Sequence, residues 1–117
     1  MIKERILGYA EKKYSTLPES PFSSSPSTIV FRHKRNRKWY GVIMSVAKNK
    51  LGLDSELQIE LICVKLNPEL IDILRNKEGY YPAYHMNKEH WVSIVLDGTI
   101  SSEEICSLLD DSYYLTK

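Results

Sequence analysis

Three runs rich in β-branched and aromatic residues, at 28–33, 39–46 and 57–66, follow one another with only short polar connections, and this succession calls for a sheet. The first two are joined by Lys34-Arg35-Asn36-Arg37-Lys38, a connection of hairpin length in which Asn36 suits a left-handed turn, so an antiparallel pair is expected. In the third run Leu57, Ile59, Leu61 and Cys63 share one face and Gln58 and Glu60 alternate outward, until Ile62 and Val64 make the second face apolar too. Its C-terminal end therefore belongs inside the sheet. Upstream, residues 15–27 hold three prolines and six serines, which neither a helix nor a ladder tolerates; the stretch reads as a loop with Phe22 as its anchor on the core.

Helices flank this sheet. Residues 2–14 put Ile2, Ile6, Leu7, Ala10 and Tyr14 on one face and leave Lys3, Glu4, Glu11, Lys12 and Lys13 to solvent. Asn67-Pro68-Glu69 offers a side-chain cap, a proline at the first helical position and an acid in the first turn, starting a short helix that ends near Gly79 and buries Leu70, Ile71 and Leu74. A further strand at 90–96 is expected to be central, with Trp91 partly buried beneath the tyrosine-rich segment before it. Asp97-Gly98 then turns the chain, and Ser101 with Glu104 forms a capping box for a last helix that faces Ile105, Leu108, Leu109 and Tyr113 inward. The order predicts an α+β domain with a mainly antiparallel sheet and helices packed on one face. At 117 residues a single unit, 1–117, is expected, since two cores would each be marginal.

Charge is distributed unevenly although the net is only +1. No Asp or Glu occurs from Ser20 to Leu53, while Arg32, Lys34, Arg35, Arg37, Lys38, Lys48 and Lys50 all fall there; the rest of the chain holds the other 9 basic residues and all 15 acidic ones. A cationic hairpin on a mildly acidic body fits a DNA groove or a row of phosphates, and these seven residues are the DNA-binding candidates. Charge at a hairpin tip also protects exposed edges from aggregation, so both readings stand at this point.

Residues 80–91, Tyr-Tyr-Pro-Ala-Tyr-His-Met-Asn-Lys-Glu-His-Trp, concentrate aromatic and imidazole groups. Tyr84, His85 and Lys88 are candidates for a ligand surface there. His85 and His90 lack both the helical spacing and the third partner of a metal site, so no metal is expected, and a hydrogen-bonded histidine at a strand start is the simpler reading. Cys63 and Cys106 are not in paired spacing and read as reduced, mostly buried thiols that are not bonded to each other. The five glycines are isolated and there is no G-x-S-x-G elbow, so neither a cofactor nor catalysis is expected. Glu103 and Glu104 suit a helix start, and Asp110 and Asp111 a solvated face. No apolar stretch approaches a membrane span and the first residues are charged, pointing to a cytoplasmic protein without membrane contact.

Val30-Phe31-Arg32-His33, Arg37-Lys38-Trp39-Tyr40, the block from Gly79 through Tyr-Pro-Ala-Tyr-His-Met-Asn-Lys-Glu-His to Trp91, Leu96-Asp97-Gly98 and Ser112-Tyr113-Tyr114-Leu115 together resemble the MmcQ/YjbR family of small bacterial proteins. The resemblance spans residues 1–117. It implies a CyaY-like (YjbR-like) fold and a presumed DNA-binding role, with no established catalytic residues. Two functions compete on these grounds. One is a non-enzymatic DNA-binding protein that contacts phosphates through the hairpin wing, electrostatically and with little sequence selectivity. The other is a protein or small-ligand interaction module that uses the surface from Tyr80 to Trp91.

Overall fold

A computed structural model describes residues 1–117. Helix α1 (Ile2–Tyr14) precedes strands β1 (Ile29–Arg32) and β2 (Trp39–Ala47), a single 3₁₀ turn (Lys48–Leu51), and strand β3 (Gln58–Lys65). Helix α2 (Pro68–Leu74), strands β4 (Tyr80–Pro82) and β5 (Trp91–Val95), and helix α3 (Ser102–Thr116) complete the chain. The five strands lie in the order β1-β2-β3-β5-β4, and every neighbouring pair is antiparallel. This is the expected α+β arrangement. α3 packs on β2 and β3, α1 packs on α3, and α2 lies against β5.

The two sheet faces differ in what covers them. On the helix side Phe31, Tyr40, Ile43, Ile62, Val64, Val92 and Ile94 meet Ile6, Ala10, Ile105, Leu108 and Leu109 from the helices. On the other side a smaller cluster of Val30, Val42, Val46, Ile59, Leu61, Cys63 and Val95 is overlaid by half-buried Trp39, Tyr84, Met86 and Trp91. β3 thus sits at the centre with both faces apolar, and β5 is interior because β4 closes its outer edge. Trp91 is half-buried on the face away from the helices, packed against that smaller cluster.

Several local expectations are corrected. Tyr80, Tyr81 and Pro82, whose composition suggests a surface site, form strand β4; proline is tolerated there because β4 is an edge strand. α2 stops at Leu74 rather than near Gly79, after which Gly79 takes φ 93° to turn the chain into β4. Asn67 gives α2 its first main-chain carbonyl but no side-chain cap. Phe22 is 39% exposed and meets Trp39 edge-on, so it rests on the outer sheet face and does not anchor the core. Leu57 is exposed just before β3, and its carbonyl accepts the Lys48 N–H. Ser101 accepts the Glu104 N–H at 3.1 Å as expected, yet the Glu104 carboxylate takes the Tyr80 hydroxyl instead of reaching back to close the box.

Asp110 is not on a solvated face. It joins α1 to α3, accepting hydrogen bonds from the Tyr9 and Tyr14 hydroxyls and pairing with Lys13 at 3.1 Å. Burial alone would raise its pKa, but the hydrogen bonds from Tyr14, Tyr9 and Lys13 outweigh it and hold the carboxyl below its usual range. Both thiols are free, with Cys63 buried and Cys106 half-buried. No helix is long and apolar enough to cross a membrane.

Candidate nucleic-acid interface

The β1–β2 hairpin is irregular, and the irregularity decides which of its side chains are available. The register moves from Phe31 opposite Gly41 to Arg32 opposite Trp39, so Tyr40 is the extra residue of a bulge. The bulge sends the Tyr40 ring into the helix-side core while Trp39 goes to the other face. Gly41 is required beside it: a Cβ there would lie 2.6 Å from Phe31 Cδ2 and 3.1 Å from Leu109 Cδ1, where α3 comes down on the sheet. Ser112 fixes α3 at that point by donating to the Tyr40 carbonyl at 2.7 Å and accepting from the Lys65 N–H at 2.9 Å.

Arg32, a predicted DNA contact, belongs to the foot of the hairpin. Its guanidinium lies over the Trp39 ring, 5.6 Å from the centroid, and its Nε is 3.5 Å from the Glu19 carboxylate. Glu19 reaches this position because the serine- and proline-rich segment folds back on β1, where Glu19 and Val30 exchange both main-chain hydrogen bonds. The acid-free stretch of sequence thus has an acid beside it in space.

The tip is different. Lys34, Arg35, Asn36, Arg37 and Lys38 are all exposed, and among the four cations only Arg37 approaches a carboxylate, Glu19 at 3.7 Å. The left-handed residue is Arg37, at φ 64°, and not Asn36. Asn36 instead accepts the Lys38 N–H at 2.9 Å and donates to the Thr116 carbonyl at 3.1 Å, so its side chain shapes the turn and caps α3 together. Beside it the buried His33 is 2.7 Å from the Thr116 hydroxyl, which donates to the Ser112 carbonyl. With that proton committed, Thr116 Oγ1 accepts from His33, assigning Nε2–H to the neutral ring. Burial lowers the His33 pKa and Lys117 and Lys38 lower it further, against a hydrogen bond to the Tyr113 main chain that acts the other way.

Between this tip and the end of α3 lies a recess of about 610 Å³ lined by Arg32, His33, Lys34, Arg35, Asn36 and Lys117, with Tyr14, Thr16 and Tyr113 as its remaining walls. No carboxylate side chain lines it. Tyr14 and Tyr113 stack at 3.7 Å, and Thr16 hydrogen-bonds Tyr40, whose buried hydroxyl is pushed up to about 12. Lys117, Tyr14, Thr16 and Tyr113 were not legible as part of any site, because nothing in their local pattern connects them to the hairpin.

Lys48 and Lys50 do not join the tip. They occupy the 3₁₀ turn at the far end of β2, a nine-residue strand that spans about 30 Å. Lys50 instead lines a second recess, of about 400 Å³, together with Tyr84, His85 and Lys88. The structure thus brings the three ligand-surface candidates together and adds a lysine from the other set. His85 is held at φ 61° with its ring 4.0 Å from that of Tyr84. His90 is exposed, and its main chain rather than its ring is bonded: its N–H donates to Asn87 Oδ1 and its carbonyl accepts the Leu66 N–H.

A family model described as YjbR matches residues 11–115. The chain is similar over its whole length to the uncharacterized protein YyaQ of Bacillus subtilis (strain 168), with 44% identity over 117 residues covering 99% of that protein. It is 38% identical over 53 residues to the uncharacterized protein YjbR of Escherichia coli (strain K12), covering 44% of this chain and 45% of that protein. Among solved structures, a crystal structure of a Pseudomonas syringae protein superposes with a TM-score of 0.95 at 44% identity, each chain covered fully. Deinococcus radiodurans protein DR2400, described as a DUF419 domain, superposes with a TM-score of 0.73 at 26% identity, covering 97% of this chain and 76% of that one.

Proposed function

The chain belongs to the YjbR family, and from the chemistry of its hairpin we propose that it is a non-enzymatic DNA-binding protein whose wing tip contacts backbone phosphates. The observation that carries this reading is the exposure of Lys34, Arg35, Arg37 and Lys38 together on one turn, with only Arg37 near a carboxylate. A helix C-terminus beside them presents roughly half a negative charge, so capping α3 accounts for only a fraction of four cations. Phosphate contacts of this kind give weak, salt-sensitive affinity with little base selectivity, on the order of 10⁻⁴ to 10⁻⁶ M at physiological salt. Arg32 is left out of the contact set, since Trp39 and Glu19 already hold it, and Lys48 and Lys50 are too distant to share one segment of backbone with the tip.

The test is charge reversal. K34E/R35E/R37E is expected to abolish binding of duplex DNA at low ionic strength while the protein remains folded, whereas K48E/K50E retains most of it. Undiminished binding by the triple variant removes the wing from the interface.

A second reading rests on the recess that gathers Lys50, Tyr84, His85 and Lys88, with His85 in a conformation uncommon for a residue other than glycine. It is an interaction module for a protein or small ligand at that surface. Under it Tyr84→Ala abolishes binding of the partner and the hairpin triple variant does not.

A further inference from the structure

The recess between the hairpin and the end of α3 has a shape that a duplex backbone does not use. A backbone phosphodiester carries one charge and is flanked by sugar on both sides, so it touches the convex tip. The recess is concave, about 610 Å³, within the size range of small-ligand sites, and its wall includes Arg32, Lys34, Arg35 and Lys117 with no carboxylate side chain. Lys117 makes no ion pair; its ammonium lies 4.7 Å from the centroid of the Tyr114 ring. The frame of the recess is held in place: Asn36 is fixed by its bonds to the Lys38 N–H and the Thr116 carbonyl, and His33 by Thr116. Lys34, Arg35 and Lys117 on the wall of one concave polar site suit a group with two negative charges on terminal oxygens.

We propose that this recess is a binding site for a phosphate monoester, a dianion at neutral pH, carried either by a small molecule or by the terminal phosphate of a nucleic acid. The site goes beyond the duplex contact proposed above; it shares Lys34 and Arg35 with that contact, but Lys117 and His33 line the recess while Arg37 and Lys38 do not.

The experiment is a ¹H–¹⁵N NMR titration of the full chain with inorganic phosphate and with adenosine 5′-monophosphate at constant ionic strength. It is paired with affinity measurements on one DNA duplex carrying either 5′-phosphate or 5′-hydroxyl ends. Saturable shifts confined to His33, Asn36, Tyr113 and Lys117 are expected, weakened at least tenfold in K34A/K117A and retained in Lys38→Ala. If the phosphorylated duplex also binds at least threefold more tightly than its hydroxyl twin, with the preference lost in K34A/K117A, nucleic-acid ends are a source of the ligand. If the two duplexes bind alike while the small phosphates saturate the recess, the source is a small molecule. Shifts that do not saturate, or that survive K34A/K117A, overturn the site, and duplex binding that persists in that case leaves the wing contact standing. Saturation of the recess without any duplex binding does the reverse.

Discussion

The hairpin tip and residues 80–91 both stand out in the sequence, one for charge and the other for aromatic density, yet the fold treats them oppositely. The first half of residues 80–91 is built into the fold: Tyr80 is 3% exposed with its hydroxyl on Glu104, Ala83 is buried, and the Tyr84 N–H donates to Ser93. At the tip four cations are exposed, and among the turn side chains only Asn36, by a hydrogen bond, and Arg37, by its approach to Glu19, reach the body. Aromatic density arises whenever large apolar faces must be covered, whereas clustered like charge gains nothing from folding. The charged cluster is therefore the stronger pointer to function, and the aromatic one mostly to packing.

The sharpest way to break this contrast is to mutate both regions and compare stability. Tyr80→Ala removes a fully buried ring and should cost about 3 to 5 kcal/mol in chemical denaturation. Trp91→Ala removes a half-buried ring on the less covered face and should cost less, about 2 kcal/mol. If either variant is as stable as the parent, the aromatic segment is not structural and becomes the better functional candidate.

His33 gives a smaller effect with a defined sign. Its folded-state pKa is depressed, so below the ordinary histidine value of about 6.5 the unfolded chain binds more protons than the native one. Stability should therefore fall as pH drops from about 6.5 toward 5, before Asp97 and Asp110, also depressed, lose their contribution nearer pH 4 and below. His33→Gln should flatten that upper window and leave the acid limb unchanged. A slope that persists in the variant places the titration elsewhere. The smallest effect belongs to the tip, where K34E/R35E/R37E should move stability by less than about 0.5 kcal/mol because those side chains are exposed and almost unpaired.

Much of the architecture was legible because it depends on local pattern. Alternation gave β2, β3 and β5, the 3.6-residue period gave α1 and α3, and helix-start chemistry gave Ser101. What the sequence concealed was set by packing at a distance. The bulge at Tyr40 follows from Phe31 and Leu109 closing on Gly41, the position of Arg32 from Glu19 folding back on β1, and Asp110 as a link from Tyr9 and Tyr14 on another helix. The candidate site was half legible for the same reason. Adjacent residues Lys34 to Lys38 announce themselves, but Lys117 reaches the same recess only through the fold, and Lys48 and Lys50 leave it because β2 carries them to its other end.

The most direct test of the central claim, that the tip cations are free to neutralise phosphates, is the salt dependence of duplex DNA binding by the unmodified protein. Three or four contacts from Lys34, Arg35, Arg37 and Lys38 predict a log–log slope of the binding constant against salt of about −2.7 to −3.6, since each phosphate neutralised contributes roughly −0.9. A slope near zero, or no binding even at low ionic strength, contradicts the claim.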